Sequence, residues 1–245
     1  MRVRWGGPLL GNPGRTWGWL VLAGCVVVVV ALGLPFRGQT GPDSFDAAVD
    51  APVIAFLGSH HGLVLWLAWP ATAVPSIAVS AATAIGCLVA RRLNGALLAV
   101  AAVPVASVLD DAVLKHLFHR TYLGQLAFPS GHVTSVSAQV AMLAVILLIA
   151  PHPRRTQAPR VALVAVFCVL TLTTAVAVIA LRWHYFTDTV AGAAVGTGTV
   201  LALALLIDLT SAVISNRTRL PANRGAPPEQ AGAGGNRATE AVLDD

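Results

Sequence analysis

The sequence predicts an all-α, polytopic membrane protein: a bundle of six transmembrane helices with an interfacial helix after the first span. Of 245 residues, 56% are hydrophobic and 11% charged, and the mean hydropathy is +0.74. A soluble domain carries roughly 25% charged residues. Apolar runs long enough to cross a hydrocarbon core of about 30 Å recur six times, separated by polar breaks. The net charge of +5 would suggest nucleic acid in a soluble protein. Here most cations flank apolar runs, so no nucleic-acid partner is expected. Cys25, Cys87 and Cys168 all fall inside apolar runs, which predicts reduced, structural thiols.

Residues 1–16 form a short N-terminal segment with three arginines and no acid. Trp17 to Leu34 is the first span. Leu22-Ala23-Gly24-Cys25 resembles a lipoprotein cleavage site, but most of the apolar run follows Cys25, so the helix is expected to remain uncleaved. The next stretch is acidic, with Asp43, Asp46 and Asp50 against Arg37. Ser44 to His61 mixes apolar and polar positions and reads as a helix lying at the interface. Trp66 to Ala90 is the second span, with kinks expected at Pro70 and Pro75. Gly95 to Leu114 is the third, followed by a polar loop to Ser130. His132 to Ala150, Val161 to Leu181 and Asp188 to Leu209 complete the set. The membrane domain is thus 17–209. Residues 210–245, rich in Pro, Gly and Ala toward the end, are expected to be a disordered tail.

Six spans put both termini on one side. Twelve of the 16 lysines and arginines fall on that side: Arg2, Arg4, Arg15, Arg91, Arg92, Arg154, Arg155, Arg160, Arg217, Arg219, Arg224 and Arg237. Arg37, Lys115, Arg120 and Arg182 fall on the other. The positive-inside rule then makes the termini, and the tail, cytoplasmic in a multi-pass plasma-membrane protein. The opposite loops face the extracytoplasmic side.

Those loops hold the chemistry. Phe128-Pro129-Ser130-Gly131-His132 is a turn that opens directly onto a long apolar helix. A helix start presents unpaired amides and a dipole that favours an anion, and a histidine there is able to move a proton. His184 and Asp188 are four apart and share a face if the last helix starts early enough. Asp188 then fixes one ring nitrogen of His184 and frees the other as nucleophile or base; a helix-capping Asp188 is the alternative. Lys115, Arg120 and Arg182 lie next to these outer-loop histidines, against the orientation signal, which points to an anionic substrate; headgroup snorkelling is the plainer reading. Asp111, four before Lys115, suits a resting ion pair. No cluster has metal-ligand spacing, so neither metal nor cofactor is expected.

These residues carry a resemblance. The chain looks like the type 2 phosphatidic acid phosphatase superfamily, whose fold is related to vanadium haloperoxidases. That family's pattern is KxxxxxxRP, then PSGH, then SRxxxxxHxxxD. PSGH is intact at Pro129 to His132, HxxxD is intact at His184 to Asp188, and Lys115 precedes the loop in the matching place. Two motifs depart. Tyr122 and Leu123 stand where the family has Arg-Pro, and Ala177 and Val178 where it has Ser-Arg. Arg120 and Arg182 lie close by and are taken as substitutes.

The resemblance implies a metal-independent hydrolase in lipid metabolism of the cell envelope. Lys115, Arg120, Arg182, Ser130 and the Gly131 amide would neutralise the phosphate. His184 would attack phosphorus to form a phosphohistidine, and Asp188 would hold His184. His132 would protonate the leaving oxygen and then activate water. The substrate would be a membrane lipid phosphate or diphosphate: polyprenyl diphosphate, phosphatidic acid or phosphatidylglycerol phosphate. Free phosphate and vanadate-like anions would bind at the same place. Two other readings remain: a lipid-linked phosphotransferase using the same intermediate, and a catalytically silent lipid-binding homologue.

Overall fold

Two glycines set the centre of the bundle. Gly192 and Gly196 lie one turn apart on the last helix and let the backbone of the fourth span approach directly. A Cβ at Gly192 would sit 2.6 Å from the Ser130 carbonyl oxygen, and one at Gly196 would collide with that of Thr134. Small residues at this spacing are how helices in lipid come close without hydrophobic driving force between them.

The computed structural model describes residues 7–149 and 157–219. Its helices are α1 (Asn12–Gly33), α2 (Ser44–Leu57), α3 (His61–Ala68), α4 (Ala73–Val89), α5 (Leu93–Val108), α6 (Lys115–Phe118), α7 (Gly131–Ala144), α8 (Gln157–Ala180) and α9 (Phe186–Arg219). A two-residue-per-strand hairpin, β1 (Thr121–Tyr122) and β2 (Gln125–Leu126), precedes α7. Among the described residues six helical stretches are long and apolar enough to cross a membrane: Asn12–Gly33, His61–Val89, Leu93–Phe118, Gly131–Ile149, Gln157–Ala180 and Phe186–Ile214. The chain is an all-α, multi-pass membrane protein, as the composition predicts. The fourth and sixth spans are the most enclosed, with 67% and 56% of their apolar windows buried, so α7 and α9 form the axis around which the others pack.

Helix boundaries differ from expectation where capping or a change of helix type intervenes. Pro70 lies in a 3₁₀ turn, Trp69–Ala71, that breaks the second span into α3 and α4. Pro75 falls in the first turn of α4, where its missing amide has no intrahelical partner to lose, so it produces no break there. The third span passes through a π-helical segment, Leu109–Leu114, and continues to Phe118, four residues beyond the expected end. The last helix runs to Arg219, ten residues beyond the end expected at 209. Arg2, Arg4, Arg154, Arg155, Arg224, Arg237 and the remainder of the expected disordered tail lie outside the described residues.

α2 forms where an interfacial helix is expected. The Asp43 side chain caps it, accepting from the Asp46 amide at 2.7 Å. Phe45 and Phe56 are exposed on α2, while Asp46 and Asp50 turn inward and are buried.

At the opposite end from the Pro129–His132 loop, the buried Asp208 carboxylate accepts from the Leu9 and Leu10 amides at 2.7 and 2.9 Å, with Arg15 at 3.6 Å. This ties the segment before α1 to α9, about 30 Å along the helix from Asp188. Asp208→Ala leaves two buried amides unpaired, a cost of about 1–3 kcal/mol per group. A lowered melting temperature in detergent is expected, with the distant loop chemistry intact.

Candidate active site

The turn before α7 and the turn before α9 meet at one end of the bundle. The Ser130 amide donates to the Asp188 carbonyl oxygen at 3.0 Å, which locks the two sequence motifs together. Gly131 opens α7, and the Ser130 hydroxyl is buried without a hydrogen-bond partner among the described residues. An unpartnered hydroxyl at a helix N-terminus suits an incoming anion.

The imidazoles of His132 and His184 come within 6.4 Å of each other, ring centre to ring centre. That separation allows both rings to touch one tetrahedral anion from two sides. The Trp183 ring lies 5.2 Å from His132 and covers it.

His184 is oriented by a different group from the one expected. Its Nδ1–H donates to the Ala127 carbonyl oxygen at 2.7 Å, while the Asp188 carboxylate lies 3.9 Å away, beyond hydrogen-bond reach. A carbonyl only accepts, so Nδ1 carries the proton and Nε2 keeps its lone pair. Burial, reinforced by Lys115, pushes the His184 pKa down to about 3. The ring is therefore neutral through the physiological range.

Asp188 caps its own helix instead. Its carboxylate accepts from the Tyr185 amide at 2.9 Å and from Arg120 Nη1 at 2.7 Å. The first contact is the reciprocal half of a capping box, reaching back from the third helical position.

Arg120 corrects a second expectation. It is fully buried and does not face the hollow between the histidines. One end of its guanidinium meets Asp188 and Thr187, and the other meets Asp46. The rings of Phe36 and Tyr185 each lie 4.3 Å from its central carbon. A cation held by two carboxylates between two rings is not free to neutralise a phosphate. Its backbone helps as well: the Arg120 carbonyl accepts from the Ala127 amide at 2.9 Å and so fixes the residue that orients His184.

Lys115 and Arg182 are the sequence-predicted cations left for the hollow. Lys115 pairs with Asp111 at 2.6 Å and Asp110 at 3.5 Å. The π-helical segment brings carboxylates four and five residues back onto one face of the lysine. Its ammonium also overhangs the start of α7, where a Cβ on Gly131 would be 3.4 Å away. Arg182 is exposed, at φ 60° in the turn after α8, and acts electrostatically on Tyr122. Tyr122 stacks on Tyr185 at 4.4 Å, and Val178 is buried, so neither supplies the cation missing from its motif.

An apolar groove of about 680 Å³ leads away from this point between α4, α5 and α7. Lys115, Gly131 and His132 line it at the site, and Ile77, Val100 and Pro104 line it farther along. Ile77 and Val100 are more than half exposed, so the groove is open to the side of the bundle.

Comparison with known proteins adds one finding. Residues 104–210 match the model of the PAP2 superfamily. Over that segment the chain is similar to PAP2-superfamily proteins. No curated protein and no solved structure matches it. The matched segment contains Lys115, the Pro129–His132 loop and the His184–Asp188 pair, and the match is consistent with phosphatase chemistry on a phosphate-containing substrate.

Asp46 and Asp50 are the site residues that sequence reasoning missed. They lie before the PAP2 segment, and both cap α9: Asp46 accepts from the Thr187 amide at 2.9 Å and its hydroxyl at 2.8 Å, and Asp50 from the Phe186 amide at 3.2 Å. Their spacing of four on one helix face was the available signal.

Burial and the neighbouring Asp46 push the Asp50 pKa up to about 7. The folded state thus binds a proton that the unfolded chain releases above its ordinary value of 3.8. Stability contributed by that proton is present below pH 4 and is lost as pH rises through 7. Asp50→Asn keeps an acceptor for Phe186 and removes the charge. The variant is expected to melt a few degrees higher than wild type at pH 8, at about 2–4 °C per kcal/mol, and the gap is expected to close by pH 4.

Proposed function

We propose that this chain is an integral membrane phosphatase that removes phosphate from a lipid phosphate or diphosphate through a phosphohistidine on His184. The observation that carries the reading is the pair of imidazoles 6.4 Å apart, one of them with its Nδ1–H tied to a carbonyl. Nε2 of His184 attacks phosphorus as the bond to the leaving oxygen breaks, and His132 donates a proton to that oxygen. His132 then takes a proton from water, which attacks phosphorus, breaks the P–N bond and releases phosphate. Lys115, Arg182, the Ser130 hydroxyl and the Gly131 amide neutralise the equatorial oxygens. Phosphoryl transfer depends mainly on such positioning and charge neutralisation.

The apolar groove supports an amphiphilic substrate whose tail lies along α4 and α5 while its phosphate meets the histidines. Polyprenyl diphosphate, phosphatidic acid and phosphatidylglycerol phosphate all have this form. The cation count supports a site on the extracytoplasmic side, with cytoplasmic termini. A second reading, a silent lipid-binding homologue, is favoured by one observation: Arg120 is committed elsewhere, and Tyr122 and Val178 supply no replacement.

Phosphate release from these three lipids by purified protein separates the readings. Release is expected with chelator present, and His184→Ala is expected to lower it at least a thousandfold, whereas equal release from both proteins would remove His184 from the mechanism. Val103→Trp, which fills the groove away from the histidines, is expected to raise KM about tenfold for a long-tailed substrate and to leave a short-chain phosphate unaffected.

A further inference from the structure

The charges behind His184 form a sequence in space. Asp188 comes first, then Arg120, then Asp46 on α2. All three are fully buried, and Thr187 bridges the last two through its hydroxyl. Phosphorylation of Nε2 while Nδ1 keeps its proton makes the ring cationic, and so does bond formation to any phosphate-like anion. A negative charge behind the ring favours that state; a positive one opposes it. Arg120 alone would cancel the charge of Asp188. Asp46 restores it, leaving the trio with a net charge of one carboxylate.

Resting on the phosphohistidine reading, we propose that Asp46 is a positioning residue for His184. It holds and offsets Arg120, so that Asp188 keeps an effective negative charge behind the reacting imidazole. The interfacial helix α2, which lies outside the matched segment, is thereby part of the catalytic apparatus. Asp46 also fixes the first amides of α9, so the same carboxylate sets both the position and the electrostatics of the turn that carries His184.

Orthovanadate, which bonds to a histidine as phosphate does in the transition state, is the probe. Its affinity is measured on the purified full-length chain in detergent for wild type, Asp46→Asn, Arg120→Gln and the double variant, with melting temperature as a check on folding and kcat and KM on the best substrate found. Asp46→Asn is expected to weaken vanadate about tenfold and to lower kcat similarly with KM little changed, the size expected for one unit charge at an effective dielectric of about 20. The double variant, which has lost the cation as well, is expected to regain most of that affinity despite a lower melting temperature. A residue that only braces the fold predicts the reverse order, with the double variant weakest.

Wild-type affinity in Asp46→Asn, or a double variant weaker than the single one, overturns the proposal. If Asp46→Asn does not fold, Arg120→Gln decides: vanadate affinity within threefold of wild type supports the charge argument, and any greater loss overturns it. Wild-type protein that binds no vanadate overturns the phosphohistidine reading, and this inference with it; that outcome is distinct from wild-type binding that Asp46→Asn leaves unchanged.

Discussion

A fully buried arginine holds this end of the molecule together. Desolvating a guanidinium and two carboxylates costs several kcal/mol per ion, and only close geometry offsets it. Arg120 has that geometry: Asp46 at one end, Asp188 and Thr187 at the other, and two aromatic rings against its central carbon. The partners come from three parts of the chain. Asp46 lies on α2, Asp188 and Tyr185 at the start of α9, and Phe36 in the link after α1. Removing any one charge would strand the others in a place without water, so the elements that bear them are held in one arrangement.

The site in front of this cluster inherits its order. The Arg120 carbonyl holds Ala127, the Ala127 carbonyl holds His184, and the Asp188 carbonyl holds Ser130. These are backbone acceptors, fixed once the chain is fixed, and the Ser130 hydroxyl has no hydrogen-bond partner among the described residues. Lys115, by contrast, rests against two carboxylates. The hollow is therefore close to charge balance when empty. Under the proposed function, an arriving phosphate would compete with Asp110 and Asp111 for the lysine, and binding would be an exchange of one anion for another.

Much of the architecture was legible because lipid imposes few solutions: backbone groups must pair within a helix, so apolar length alone marks the spans. The two intact motifs brought His132 and His184 together, and α7 and α9 meet where small residues at four-residue spacing allow it. Arg120 was misread for a definite reason. Sequence proximity to Lys115 gave its distance along the chain, not its direction. His119 takes a left-handed backbone, φ 52°, immediately before it and swings the next side chain inward. Nor does spacing say which acceptor a histidine chooses: Asp188 at i+4 was within helical reach, but the helix begins only at Phe186, and the hairpin offered a nearer carbonyl. Asp46 and Asp50 look like ordinary interfacial acids until α2 is seen to lie against the start of α9.

The lateral opening between α4 and α5 has a consequence for how such a protein samples its surroundings. Under the proposed function, a lipid phosphate entering past Ile77 and Val100 would arrive from within the sheet of lipids and not from the water above it. Encounter frequency then follows mole fraction in two dimensions, so two membranes holding the same total amount of substrate but different lipid areas would present the protein with different effective concentrations.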